Sequence, residues 1–409
     1  SEKIQLVGAF NHLHIFCDPN PDPVSSFKER QRLFDIVGGW DQYNEKLLSK
    51  GGRIYSRNDK MLTLTPEIQK RFDISKEKVS PNDLMRALLK SRTDLLWFGG
   101  IGTYIKSSRE AHVDVGDKAN DYIRLSSSEV RAKVIGEGAN LGVTQRGRIE
   151  LAERGVRVNT DFLDNSGGVD SSDHEVNIKI LMTDIMSNGA HDMDIKARNK
   201  LLEKMTDEVA DHVLRHNYQQ AQAISLAELQ AHENLQIHEE FIEDMEREQG
   251  LDRNIEGLPD QETVELRLRI GKGLTRPELC VLLSYAKIAL THDLLESSIP
   301  DNPEMENWVM TYFPVPLRVK YKTEILRHRL KREIIATMMA NSLVNRMEPT
   351  FVKSRMKKTG ATADQIARAY IVVRDAFNLR KIWDEIEAMD GRVPAEVQLK
   401  AMREIAHLS

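Results

Sequence analysis

What most limits the folds open to this chain is a change of hydrophobic period partway along it. Up to about residue 185, short apolar runs alternate with helical stretches: His14–Cys17, Leu95–Phe98, Lys133–Ile135 and Val156–Val158 read as strands, with helical spacing such as Leu84-Met85-Arg86-Ala87-Leu88-Leu89 between them. Strands alternating with helices predict a parallel, doubly wound α/β sheet. Beyond about residue 190 the strand signal fades, and amphipathic patterns such as Leu201, Leu202, Met205, Val209, Val213 and Leu214 predict an all-helical C-terminal domain. The expected division is 1–190 and 191–409, and 409 residues are in any case too many for one ordinary domain.

Local signals sharpen this reading. Ser80, Pro81 and Asp83 mark a helix start, with Val79 and Leu84 as its hydrophobic staple. Thr275-Arg276-Pro277-Glu278 and Thr362-Ala363-Asp364-Gln365 are capping boxes. Glu239 to Asp260 is charged and ends in Gly257-Leu258-Pro259, which reads as a helix and a linker. The chain opens Ser1-Glu2-Lys3 and reads as a piece of a longer polypeptide, with Ile4–Val7 a helix already under way. A net charge of −5 calls for neither nucleic acid nor an anionic membrane. No apolar run approaches the roughly 20 residues of a membrane span. The two cysteines, Cys17 and Cys280, form no disulfide framework or metal knuckle, so a reducing cytoplasm is expected.

In an open α/β sheet, ligands bind beyond the carboxyl ends of the strands. Asp18 follows the first strand. It can bond ribose hydroxyls, or it can be a turn residue of Asp18-Pro19-Asn20-Pro21-Asp22. Gly99-Gly100-Ile101-Gly102 follows the second, where adjacent glycines let backbone approach a ligand or simply turn the chain. Gly136-Glu137-Gly138-Ala139-Asn140-Leu141-Gly142 follows the third. Its spacing is not that of a phosphate turn and it comes too late in the domain to be one. A loop at the nicotinamide end of a dinucleotide is the better reading, with Asn140 offering donor and acceptor. After the fourth, paired glycines Gly167 and Gly168 precede a helix whose first amides and serines can form an anion site or merely a capped start. Asp173, His174 and Glu175 point different ways on a helix, so no metal is expected. His12 and His14 read as a packed or surface pair on one strand face. Lys353, Arg355, Lys357 and Lys358 read as a solvated face.

Together these loops resemble the glutamate dehydrogenase cofactor domain. Glu137-Gly138-Ala139-Asn140 with Thr144 resembles that superfamily's E-G-A-N-x-x-x-T motif, and Asn165-Ser166-Gly167-Gly168-Val169 with Ser172 resembles N-A-G-G-V-x-x-S, Ser166 standing for the usual alanine. Further phrases resemble the large bacterial NAD-specific branch: Phe16 to Asp22, Asp94 to Trp97, Asn159 to Phe162, Asp173 to Ile180 and Gly273 to Leu279. The resemblance implies an incomplete Rossmann-like fold lacking its first strand and glycine turn. It implies NAD as cofactor and oxidative deamination of L-glutamate to 2-oxoglutarate and ammonium by the full-length protein, with this fragment inactive alone. Asp18 would hold the adenosine ribose. Asn140, Asn165, Gly167 and Gly168 would face the nicotinamide half, with Gly99 and Gly100 in the cofactor loops, and Ser172 would bind a glutamate carboxylate. The catalytic lysine and aspartate would precede residue 1, so no residue here is nominated as catalytic. The expected partners are the rest of the same polypeptide and further copies in a homo-oligomer. Two other readings stay open: a non-catalytic regulatory or assembly module, and a dehydrogenase for another amino acid.

Overall fold

The computed structural model describes residues 1–100, 102–187 and 193–408. The pattern change near residue 190 and Ile101 of the glycine run both lie outside the described residues. The chain forms two compact units, Ser1–Asp161 and Phe162–Ser409.

The first unit is mixed α/β. Strands β1 (Gly8–Phe10) and β2 (His14–Cys17) form an antiparallel hairpin, and β3 (Arg53–Ser56) adds to the other edge of β2. Helix α1 (Pro23–Asp35) starts where the Asp22 carboxylate accepts from Ser25 N–H at 2.8 Å. After it come an antiparallel pair, β4 (Leu62–Thr63) with β5 (Lys78–Val79), and helix α2 (Pro81–Lys90). Next are β6 (Leu95–Phe98), a parallel pair of β7 (Ile105–Lys106) and β8 (Leu125–Ser126), β9 (Val134–Glu137), helix α3 (Gln145–Glu153) and β10 (Arg157–Val158). β6, β9 and β10 make a parallel sheet in the order β10-β9-β6.

The local chemistry explains α2. Asp83 N–H donates to Ser80 Oγ at 3.2 Å and Ser80 N–H donates back to Asp83 Oδ2 at 3.3 Å, with Pro81 in the first turn. Leu84, Met85, Leu88 and Leu89 are buried, as the helical spacing requires. Truncating one of these leucines to alanine would cost about 2–5 kcal/mol.

Several expectations change here. His14–Cys17 is not a member of the parallel sheet. Only Asn11–Leu13 separates it from β1, and a parallel connection needs a crossover of about a dozen residues. The Asn11 carboxamide instead accepts from Leu13 and His14 N–H and closes a hairpin. His12 lies in this turn, so it does not share a strand face with His14. Ile4–Val7 is not helical, and Val7 C=O accepts from Asp18 N–H beyond the end of the hairpin.

The second unit is helical around one continuous apolar core. It begins within the short α4 (Asp161–Asp164), which the long α5 (Ser166–Ser187) follows, with Ile178, Leu181, Met182 and Ile185 buried. α5 packs on α6 (Thr206–Leu229). α7 (Leu235–Gln249) ends at Gly250, where φ is +68°. α8 (Arg276–Glu296) buries Leu279 through Leu283 on successive faces, the mark of a central helix. Its capping box is present: Thr275 N–H donates to Glu278 Oε2 at 2.6 Å, and Arg267 pairs with the same carboxylate at 2.8 Å. α10 (Lys331–Met347) packs on α8, and α9 (Glu306–Tyr312) packs on α10. Lys353 and Lys357 do not form a merely solvated face, since they pair with Glu248 and Asp244 at 2.7 and 2.8 Å. Among the described residues no helix is long and apolar enough to cross a membrane.

Candidate functional site

The loop after β9 carries the first motif, and most of its residues have packing reasons. Glu137 is fully buried. It takes a two-pronged pair from Arg148 on α3, at 2.7 and 2.9 Å, and accepts from Val143 N–H at 3.0 Å. Burial pushes its carboxyl up, against the pull of Arg148. Arg148 also reaches Asp161 at 3.0 Å, and Asp161 accepts from Leu141 N–H at 2.8 Å. Two buried carboxylates and one guanidinium therefore fix both ends of the turn. Leu141 is held at a φ of +58°, a left-handed conformation that costs a non-glycine residue about 1–3 kcal/mol.

The neighbouring positions follow the same logic. A Cβ on Gly138 would stand 2.5 Å from the Trp97 ring, so glycine lets that ring lie against the loop. Thr144 is the N-cap of α3, accepting from Gly147 N–H at 3.1 Å, and its hydroxyl donates to Glu110 at 2.6 Å. Asn140 differs in being exposed at the tip of the loop.

Phe98 and Glu137 are in register on β6 and β9, and Phe98 C=O accepts from Ala139 N–H at 3.1 Å. Gly99-Gly100 and Gly138-Ala139-Asn140 thus leave the same end of the parallel sheet side by side. Among the described residues nothing lies within 4 Å of where a Gly100 Cβ would stand, so their packing does not demand glycine there.

Asp18 ends β2 on the other sheet and is fully buried. Its Oδ1 accepts from Ser49 N–H at 3.1 Å and from the Ser49 hydroxyl, while its Oδ2 has no hydrogen-bond partner among the described residues. The beginning of α1 is held by Asp22 rather than Asp18, so the turn residues and the buried acceptor are separate positions. Burial, with the Asp18 charge adding to it, pushes the neighbouring Cys17 thiol up and leaves it inert.

The second motif lies in the helical unit. Asn165 is the corner between α4 and α5. Gly167 and Gly168 stand inside the first turn of α5 rather than ahead of it, and Gly168 N–H donates to Asn165 C=O at 3.0 Å. Glycine suits the site because a Gly168 Cβ would meet Asn165 Oδ1 at 3.1 Å. Ser172 is exposed one turn on, its hydroxyl donating to Gly168 C=O at 3.3 Å. Below them, Asp173 accepts from the Tyr312 hydroxyl at 2.7 Å, His174 is buried and stacked on Tyr312, and Glu175 pairs with Lys179. These three side chains do not converge, and among the described residues no group of three or more His, Cys, Asp or Glu could hold a metal ion.

Arg148 was not singled out by the motifs, and Asp161 and Trp97 entered only as members of longer phrases with no role given, because their partners are distant in sequence. The only local hint was the pair of glycines, Gly136 and Gly138, that make room for the Trp97 ring.

Comparison with known proteins places the chain in a family. Residues 1–227 match the family described as bacterial NAD-glutamate dehydrogenase, catalytic domain, and residues 271–409 match the glutamate dehydrogenase C-terminal family. The NAD-specific glutamate dehydrogenases of Halomonas elongata and Pseudomonas aeruginosa are each 51% identical over 409 residues, covering 100% of this chain and 25% of their own length. That of Mycobacterium tuberculosis is 41% identical over 395 residues, 95% of this chain and 24% of its own. The chain spans about a quarter of the length of these curated relatives. With more than half of it matched by the first of these families, the chain belongs to the bacterial NAD-glutamate dehydrogenases.

Proposed function

We propose that the full-length protein containing this chain oxidises L-glutamate with NAD, and that this chain supplies the cofactor-binding lobe. In the overall reaction L-glutamate, NAD⁺ and water give 2-oxoglutarate, ammonium, NADH and a proton. Bound NAD would supply the acceptor for the hydride leaving Cα of glutamate; that chemistry belongs to the cofactor, and the protein positions and polarises.

The observation that carries the reading is the division of labour within the two motifs. Their buried positions, Glu137 and Ser166, and the N-cap Thr144, are accounted for by packing and hydrogen bonding within the fold. The exposed ones, Asn140 and Ser172, are the positions that the superfamily gives to ligand. Asn140 and Asn165, with Gly167 and Gly168, orient the carboxamide and ribose of the nicotinamide half. Ser172 donates to a glutamate carboxylate once its hydroxyl turns from the Gly168 carbonyl. Asp18 fits the adenosine ribose: it is a buried acceptor whose Oδ2 has no partner among the described residues, and a negative charge there disfavours a 2′-phosphate. The open space at Gly100 fits close passage of the cofactor past backbone.

The sheet β10-β9-β6 is read as the second half of a Rossmann-like doubly wound sheet. In support, β6 is an edge strand, and Leu95 and Trp97 on one of its faces are 48% and 59% exposed. The first strand and phosphate turn, and the groups that move protons, are assigned to polypeptide of the full-length protein outside this chain. The helical unit is read as contributing to contacts within a cytoplasmic homo-oligomer.

Initial rates of NADH formation test the reading. The full-length protein is expected to use glutamate over leucine and phenylalanine, and NAD over NADP. Equal or better rates with NADP would remove the role of Asp18, and preference for another amino acid would remove glutamate.

A further inference from the structure

This chain departs from the superfamily motif at one position, Ser166, and the structure shows what the added hydroxyl does. Ser166 is 7% exposed. Its oxygen accepts from Asn217 Nδ2 at 2.8 Å and from Gln220 Nε2 at 3.2 Å, both on α6. Asn217 Nδ2 also donates to the carbonyls of Leu163 and Asp164 at 3.0 and 3.3 Å, at the end of α4. Gln220 Oε1 in turn accepts from Lys287 Nζ of α8 at 2.9 Å. With Lys287 protonated, the polarity of this chain of bonds is set. An ammonium group can only donate, so Lys287 fixes the carbonyl end of the Gln220 amide toward itself. The amide's NH₂ must then face Ser166, whose oxygen must accept. One turn along α5, Asp170 Oδ2 lies 3.0 Å from His216 Nδ1, so α6 holds the start of α5 at a second point.

These bonds converge on the α4–α5 corner, where Asn165 sits with Gly167 and Gly168. Two glycines in the first turn of a helix leave its backbone weakly determined, so something outside the turn must hold it. The apolar core alone cannot, since Gly168 and Val169 are exposed. Lys287 has every reason to keep its place in the chain of bonds. Burial lowers its ammonium to about 7, and Asp170 works in the opposite direction. Without Gln220 it would lose the one hydrogen-bond acceptor that the described residues give it.

We propose that Asn217, Gln220 and Lys287 are positioning residues for hydride transfer, acting through Ser166 on the corner that carries Asn165, Gly167 and Gly168. The helical unit thereby sets the geometry of the nicotinamide side. This rests on the reading of Asn165 as facing the nicotinamide.

The test uses the full-length protein and four variants: Ser166→Ala, Lys287→Met, the two combined, and Asn165→Ala. Ser166→Ala is the mild change, since alanine is the residue the superfamily uses and Asn217 keeps its two carbonyl partners. Each single variant is expected to lower kcat about three- to tenfold, the scale of one net hydrogen bond. The double variant should be little worse than either single one, because both break the same chain. The isotope effect on kcat with glutamate deuterated at Cα should rise, since a displaced nicotinamide slows the hydride step. Exchange of the Gly167–Val169 amides should quicken even without cofactor. If losses in the double variant multiply, or if isotope effect and amide exchange stay at wild-type values while only melting temperature falls, the residues are structural and the proposal is overturned. Asn165→Ala separates the two levels. Wild-type kinetics there would sink the site reading itself, whereas a crippled Asn165→Ala beside an unaffected Ser166→Ala and Lys287→Met would sink only the positioning role.

Discussion

Replacing Arg148 by methionine is the most informative perturbation of the first motif. Arg148 is 2% exposed and is the counter-charge of Glu137 and Asp161, which are 0% and 8% exposed. Methionine fills similar volume but leaves two buried carboxylates facing each other. Removing one partner of a buried ion pair costs about 3–5 kcal/mol, mostly because the remaining charge is stranded. In a unit of 161 residues, each kcal/mol moves Tm by about 2–4 °C, so a fall of roughly 6–20 °C is expected in scanning calorimetry. The pH dependence follows from the sign of the shift. Burial already raises Glu137 above its ordinary value, and without Arg148 the rise grows. A raised carboxyl contributes stability that is present below its unfolded pKa and is lost as pH rises through the folded one. The variant should therefore recover part of its loss on moderate acidification. A Tm within about 2 °C of wild type would mean that the Glu137–Arg148–Asp161 cluster does not hold the loop. So would a deficit that does not shrink at lower pH.

Three further outcomes are expected. Asp18→Asn in the full-length protein should raise KM for NAD tenfold or more, since a hydrogen bond to a charged group is worth about 1.5–3 kcal/mol, and should narrow the preference for NAD over NADP; coenzyme titrations at saturating glutamate measure both. Ser172→Ala should leave Tm unchanged, because it loses only the bond to the Gly168 carbonyl, yet should raise KM for glutamate and not for NAD; an unchanged glutamate KM would take Ser172 out of the site. Burial pushes the Glu150 carboxyl up, but hydrogen bonds from Ser107, Ser108 and Ser127 outweigh it and bring it from 4.5 to about 2. A depressed carboxyl contributes stability above its unfolded pKa that is lost as pH falls toward the folded one, so Glu150→Gln should flatten acid denaturation between about pH 4.5 and 2.

Local chemistry was legible in the sequence. The boxes at Ser80, Thr275 and Thr362 form as their spacing implies, because a cap depends only on residues three apart. The strands at Leu95–Phe98 and Arg157–Val158 stand where the apolar runs placed them. Pairing was less legible. Gly8–Phe10 is too short to announce itself as a strand, so the hairpin that turns His14–Cys17 away from the parallel sheet was hidden in the Asn11 turn. Charged residues inside helices were the least legible. Arg148 looks like any polar residue of a solvated helix, and only the folded chain brings Glu137 and Asp161 to it. The same holds for Asn217, Gln220 and Lys287, which belong to helices far along the chain from the corner they hold. Gly100 is the reverse case, since the described residues offer no packing reason for it and the motif alone draws attention to it.

The most direct test of the central claim follows the hydride itself. The full-length protein is incubated with NAD and L-glutamate deuterated at Cα, and the reduced cofactor is analysed by mass and by NMR. Direct transfer within a cleft built on these loops predicts one deuterium in the reduced nicotinamide per 2-oxoglutarate formed, with none lost to water. Reduced cofactor without deuterium, or 2-oxoglutarate formed without reduction of NAD, would contradict the account.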